Sequence, residues 1–234
     1  MTHGFDKEYW EQHWRHGSAD GPGSMGGNPP NPYLARETSE LVPGTALDAG
    51  CGAGAEAIWL ASHGWQVTAA DISSGALARA AERATASGAS ERLRWVEADL
   101  CVWHPGTRFD LVTTHYAHPA MPQLEFYDRI AGWVAPGGTL LIVGHLHTHS
   151  ATGGGHGHDH SQHGHGSGHH PPAEASATAA AITARLDETA WEIVTAEERH
   201  RTLIGHGGAE ALLHDVVVRA TRRRCPLPAR QETR

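Results

Sequence analysis

Cysteine is scarce in this chain, and the three present, Cys51, Cys101 and Cys225, lie far apart with no C-x-x-C pair. Such spacing indicates neither a disulfide framework nor a thiolate zinc site. Basic residues are outnumbered, 18 Lys and Arg against 26 Asp and Glu, which leaves a formal charge of −8 at pH 7. A chain of that sign does not attract nucleic acid or an anionic membrane as a whole. The segment RATRRRC is a local exception, read as a solvated strand end. No apolar run approaches the roughly 20 residues that cross a bilayer, and MTHGFDKEYW lacks a basic-then-apolar signal order, so a cytoplasmic location is expected.

What is present is alternation. From Thr45 to Leu146 short apolar runs alternate with Ala-rich stretches, the pattern of repeated βαβ units and a parallel sheet. Strands are expected near 45–49, 66–70, 92–96, 109–114 and 139–145, with helices near 54–63, 74–87 and 122–134. Helical spacing predicts further helices over 5–15, near 33–41 and near 173–186. WEIVTAEERHR and LHDVVVRAT read as two more strands, joined by a connection too short for a crossover helix, so that pair should be antiparallel. Residues 150–170, SATGGGHGHDHSQHGHGSGHH, offer nothing apolar to pack and read as an insertion.

The stretch ALDAGCGAGAEAIWLA is strand, glycine turn, helix. Its glycines let the backbone turn tightly and approach a ligand at the carboxyl edge of the first strand. Asp71 closes the second strand at the interval where a carboxylate reaches an adenosine ribose, and Asp99 ends the third, positioned for an adenine amino group. NAD and S-adenosylmethionine share that adenosine half. The loop here reads G-x-G-x-G with Asp48 just before it, and a carboxylate there repels a pyrophosphate but suits the cationic amino end of a methionine.

LDAGCGAG, ADIS, EADL, FDLVTTHY and VAPGGTLLIV resemble the successive motifs of class I S-adenosylmethionine-dependent methyltransferases, over roughly residues 40 to 220. The resemblance implies an α/β fold: a doubly wound, Rossmann-like, seven-stranded and mostly parallel sheet with an antiparallel last strand. It implies Asp48, Gly50, Cys51 and Gly52 at the methionine end of the cofactor, Asp71 and Ile72 at the ribose, Asp99 and Leu100 at the adenine, and Thr114 beside them. YWEQHW with the later NPYL is similar to the thiopurine and tellurite-resistance group, in which an N-terminal helix covers the cofactor. The division expected is a helix and lid over 1–44, a methyltransferase domain over 45–220 with a His/Gly-rich insertion at 147–172, and a basic tail over 221–234.

Methyl transfer is an in-line displacement, so the acceptor must be held behind the methyl and water excluded. A thiol, chalcogen or metalloid acceptor needs little else, whereas a hydroxyl needs a general base. The acceptor should lie beyond the fourth strand, which makes His115, Tyr116 and His118 the catalytic candidates. His145, His147 and His149 share one face of the fifth strand as it leaves the sheet. With His156, His158 and His160 of the insertion they form a candidate site for zinc, nickel, copper or cobalt. The expected function is methyl transfer from S-adenosylmethionine to a small-molecule acceptor beside a histidine-rich, metal-binding loop. The rivals are a natural-product O- or N-methyltransferase whose loop is incidental and a metal-buffering protein on the same fold.

Overall fold

The computed structural model describes residues 5–16, 29–146, 176–204 and 210–224. Seven strands form one sheet: β1 (Thr45–Ala49), β2 (Gln66–Asp71), β3 (Leu93–Glu97), β4 (Phe109–His115), β5 (Val134–His145), β6 (Trp191–Ile204) and β7 (Glu210–Arg222). Their order is β3-β2-β1-β4-β5-β7-β6. Only β7 runs against its neighbours, pairing antiparallel with both β5 and β6. The expected sheet, with its antiparallel last strand, is the observed one.

Apolar runs make central strands here because both faces are covered. Leu47, Leu140 and Ile142 face one core layer with Phe126 and Ile130 of α5 (Gln123–Ala131) and Ile182 of α6 (Ala179–Thr183). Their neighbours Ala46, Leu141 and Val143 face the other, with Leu34 of α2 (Pro32–Thr38), Leu60 of α3 (Ala55–Ser62) and Leu77 of α4 (Ser74–Ser87). That period of two assigns each residue to a layer.

The boundaries differ from expectation at the fifth strand. Helix α5 ends at Ala131 and β5 already begins at Val134. The ladder between β4 and β5 shifts register between Phe109 and Leu111, and Gly137 at φ +84° lets the chain kink between the two paired stretches. Helix α1 (Lys7–His16) packs against α4 rather than on the sheet. Glu11 accepts from the amide and hydroxyl of Ser74 at 2.7 and 2.9 Å, and Arg79 donates to the Trp14 carbonyl at 2.7 Å. No helix among the described residues is long and apolar enough to cross a membrane. The expected insertion at 147–172 and most of the basic tail lie outside the described residues.

Candidate active site

At the carboxyl edge of β1 the chain turns through Gly50, Gly52 and Gly54, all at positive φ. All three are glycine for reasons of space as well, and a Cβ on Gly54 would meet the Trp95 ring at 2.7 Å. A Cβ on Gly50 would come within 2.3 Å of the Ala117 Cβ, and one on Gly52 would meet the Trp14 ring at 3.1 Å. The loop is therefore clamped between the chain leaving β4 and helix α1. Asp71, at the end of β2, fixes its shape: one carboxylate oxygen accepts from the Gly52 amide at 2.8 Å and the other from the Ser73 amide at 2.9 Å.

A cavity of roughly 250 Å³ opens beside this loop. Gly50, Cys51, Gly52, Asp71 and Ile72 form one side of its wall, and Asp99 with Leu100 extends it. His115, Tyr116 and His118 line the same cavity from the end of β4. Phe5, Trp10 and Trp14 cover it, and the Trp10 indole donates to the His118 carbonyl at 3.3 Å. The expected cofactor and acceptor residues thus share one enclosure.

Two expected cofactor residues are not on its wall. Asp48 is buried beneath the loop, with its Oδ2 lacking a hydrogen-bond partner. Burial raises its carboxyl well above the usual range, and the charges of Glu56 and Asp71 add to the rise. Thr114 is buried and donates its hydroxyl to the Ala49 carbonyl at 2.8 Å, so it ties β4 to β1. Burial likewise raises Asp71, although amides of Ser73, Gly52 and Ile72 oppose the shift. With Asp48 behind the wall and Asp71 and Asp99 on it, the glycine-loop side of the cavity suits a cationic ligand and disfavours a pyrophosphate, while Glu56, which accepts from the Asn31 amide at 3.0 Å and whose charge reaches both Asp48 and His115, stands between the two sides.

At the other end, His115 is half-buried, with Nδ1 3.4 Å from the Thr113 hydroxyl and a buried Nε2 without a partner. Burial lowers its pKa below the ordinary histidine value, so it is neutral at physiological pH. Tyr116 adopts φ +55°, a left-handed conformation that costs a non-glycine residue about 1–2 kcal/mol. Its hydroxyl donates to Asp215 on β7 at 2.9 Å and accepts from Asn31 and Arg201, each at 2.9 Å. Burial and the Asp215 carboxylate push its pKa up, so it is a fixed neutral phenol and an unsuitable base. Arg201 on β6 donates Nε to Asp215 at 2.5 Å. Burial alone would lower the Arg201 pKa, but Tyr116 and Asp215 outweigh it and hold the guanidinium protonated.

Asn31, Glu56, Arg201 and Asp215 escaped the reading of the sequence. Asp215 left a signal in a carboxylate directly before the apolar run VVV, and Asn31 stands first in NPYL, though neither pattern assigns its residue to the site.

The expected metal site fares differently. His145 stacks on Tyr116 at 4.1 Å, 6.2 Å from the His118 ring, and is not part of the cavity wall. Among the described residues no group of three or more His, Cys, Asp or Glu side chains is arranged to hold a metal ion. His147, His149, His156, His158 and His160 lie outside the described residues.

Comparison with known proteins adds a family model, two curated relatives and a solved structure. Residues 46–138 match a family model described as a methyltransferase domain. A protein of Arabidopsis thaliana named probable thiol methyltransferase 2 is 29% identical over 56% of this chain and 59% of its own length. Ribosomal RNA small subunit methyltransferase C of Alcanivorax borkumensis is 43% identical over 44% of this chain and 33% of its own length. The chain therefore spans little more than half, or less, of these curated relatives. A solved structure described under the conversion of a disulfide bond into a thioacetal group during echinomycin biosynthesis matches with a TM-score of 0.65. It is 24% identical over 93% of this chain and 91% of that one, a likeness of fold. These two relatives are named for acceptors as unlike as a thiol and ribosomal RNA.

Proposed function

We propose, for a chain that belongs by fold and by residues 46–138 to the class I methyltransferases, that it transfers a methyl group from S-adenosylmethionine to a small-molecule thiol. The observation that carries this reading is the single cavity in which the glycine loop and Asp71 face the same space as His115 and His118. S-adenosylmethionine, when bound, supplies a methyl group on a sulfonium, which a nucleophile can take.

The chain's own residues have separable tasks in this reading. Gly50, Cys51 and Gly52 give a surface without side-chain bulk, and Asp71 holds that surface while offering remaining lone pairs to a ribose. Ile72, Asp99 and Leu100 take the adenine side. Asp48 acts from behind the loop through its charge rather than by contact. The neutral His115 imidazole, with its free Nε2, accepts the proton as the thiol becomes a thiolate. Helix α1 and its Trp10 and Trp14 exclude water, which is the part of the expected lid that the described residues support.

Sulfur as the acceptor atom is favoured by the names of the thiol methyltransferase relative and of the thioacetal-forming structural neighbour. The half-buried, neutral histidine is consistent with it, since a soft nucleophile needs only one proton removed. The transition metal expected of the histidine-rich insertion has no support among the described residues, and the proposed transfer does not draw on it.

The test is release of S-adenosylhomocysteine from S-adenosylmethionine in the presence of alkyl and aryl thiols, phenols and amines, with calorimetry of S-adenosylmethionine and NAD beside it. Turnover with thiols and binding of the sulfonium cofactor alone are expected. Binding of NAD in its place, or turnover confined to phenols or amines, would overturn the reading.

A further inference from the structure

The guanidinium of Arg201 lies on the cavity wall, in a position that the proposed methyl transfer does not by itself require. It arrives there by the register of the last two strands. Arg199 pairs with Asp215 across β6 and β7, which puts Arg201 diagonal to Asp215 on the same face. Asp215 is completely buried, and the Arg201 side chain is 21% exposed.

The way the guanidinium is held decides which of its edges is free. Nε donates to Asp215 and Nη2 donates to the Tyr116 hydroxyl, so the edge carrying Nε and Nη2 is spent on the protein. The hydrogens on Nη1 and the second hydrogen on Nη2 have no partner among the described residues. These two nitrogens form the end-on fork that matches the two oxygens of a carboxylate. The fork is pre-oriented: Tyr116 is itself fixed by Asn31 and Asp215, and the Arg201 guanidinium sits 5.9 Å over the Tyr116 ring. Arg83, the other basic side chain on the wall, donates to the Ala53 carbonyl beside the glycine loop and so belongs to the opposite end.

We infer that Arg201 is a specificity-determining residue that binds an anionic group of the acceptor. The acceptor class is then a small, largely apolar thiol bearing a carboxylate or an equivalent oxyanion. The walls agree, because Phe5, Trp10 and Pro119 line the same cavity as Arg201 with apolar surface. Asp215 and Tyr116 are positioning residues, which aim the fork without touching the acceptor. This inference rests on the proposed methyl transfer for its acceptor but predicts a binding preference that is measurable without it.

The experiment compares para-mercaptobenzoate with its methyl ester, in the wild type and in Arg201→Met, Arg201→Lys and the double variant Arg201→Met/Asp215→Asn. Affinity is read by quenching of tryptophan fluorescence with S-adenosylhomocysteine present, and turnover by S-adenosylhomocysteine release. The double variant removes the uncompensated buried carboxylate that Arg201→Met alone would leave, so loss of folding and loss of recognition separate. Wild type should prefer the acid over the ester by roughly 10- to 100-fold. Arg201→Met and the double variant should lose that preference, and Arg201→Lys should keep part of it. Equal affinity for acid and ester in the wild type, or an undiminished preference in the double variant, would overturn the inference. A preference in binding with no turnover of either compound would sink the proposed reaction and leave the anion site standing. Equal kcat/KM for both compounds would do the reverse.

Discussion

The Asp71 carboxylate accepts from the Gly52 amide at 2.8 Å, so the residue expected to meet a ribose is also the one that shapes the glycine loop. Asp71→Ala should therefore act twice. Loss of a charge-assisted contact predicts roughly a 10- to 100-fold weaker cofactor. Loss of the Gly52 and Ser73 contacts predicts lower thermal stability of the free protein as well. Calorimetry and a melting curve on the same sample check both, and an unchanged affinity removes Asp71 from the cofactor site.

Cofactor affinity should fall as the pH is lowered. Burial raises the Asp48 and Asp71 carboxyl groups, so the free protein retains protons that an unfolded chain has already lost. A cationic ligand binds best to the ionised pair and must expel those protons. Affinity then rises with pH through the raised values, and binding releases protons. The pair's contribution to the stability of the free protein has the opposite trend, being present below the unfolded carboxylate pKa near 4 and lost as pH rises through the folded values. Calorimetry in buffers of different ionisation enthalpy measures the proton count; net uptake would contradict the electrostatic account. Asp48→Asn should reduce the release.

His115→Ala should lower turnover of an alkyl thiol by roughly 100-fold or more while S-adenosylhomocysteine still binds. The loss should be much smaller for an aryl thiol, which reaches the site already as thiolate. Because burial lowers the His115 pKa, the wild-type rate with an alkyl thiol should persist below pH 6.5, the ordinary histidine value. Equal losses with both thiols would mean that His115 shapes the cavity without taking a proton.

Trp14→Ala should damage cofactor binding more than the fold. Trp14 is buried against Ala53 and Ala76 and lies over Gly52, while α1 itself packs on α4 outside the central sheet. Removing the ring opens the loop to water. A large fall in affinity beside a modest shift in Tm is expected, and the opposite ranking would make Trp14 a core residue only.

Deleting residues 153–168 should lower the number of nickel or zinc ions bound, because imidazoles are removed, and should leave thiol turnover largely intact. Metal stoichiometry and S-adenosylhomocysteine release on one preparation check this. Abolished turnover would place the working part in the insertion.

The sheet was legible because each strand carries its own record. Apolar runs ending in Asp48, Asp71 and Asp99 mark carboxyl edges, and the short link after WEIVTAEERHR forces the antiparallel pair. The acceptor end was less legible. Arg201, Asp215, Tyr116 and Asn31 come from four separate stretches, and their meeting depends on the β6/β7 register and on the left-handed turn at Tyr116, which no local pattern encodes. Thr114 shows the converse: expected beside the cofactor, it spends its hydroxyl on a neighbouring strand. Of the histidines expected on one face at the end of β5, the described residues include His145, and it stacks on an aromatic ring.

The residues proposed to meet the cofactor all precede residue 101, whereas Arg201 and Asp215 stand on the β6–β7 ribbon at the far margin of the sheet. In the proposed reading the anion-binding Arg201 and its carboxylate thus lie on a stretch of chain separate from the glycine loop, tied to the rest of the site through Tyr116 and Asn31. A lineage keeping the first stretch fixed could change what it methylates by exchanging one hairpin. For engineering, that ribbon is the unit to transplant, since it carries its own orienting carboxylate with it.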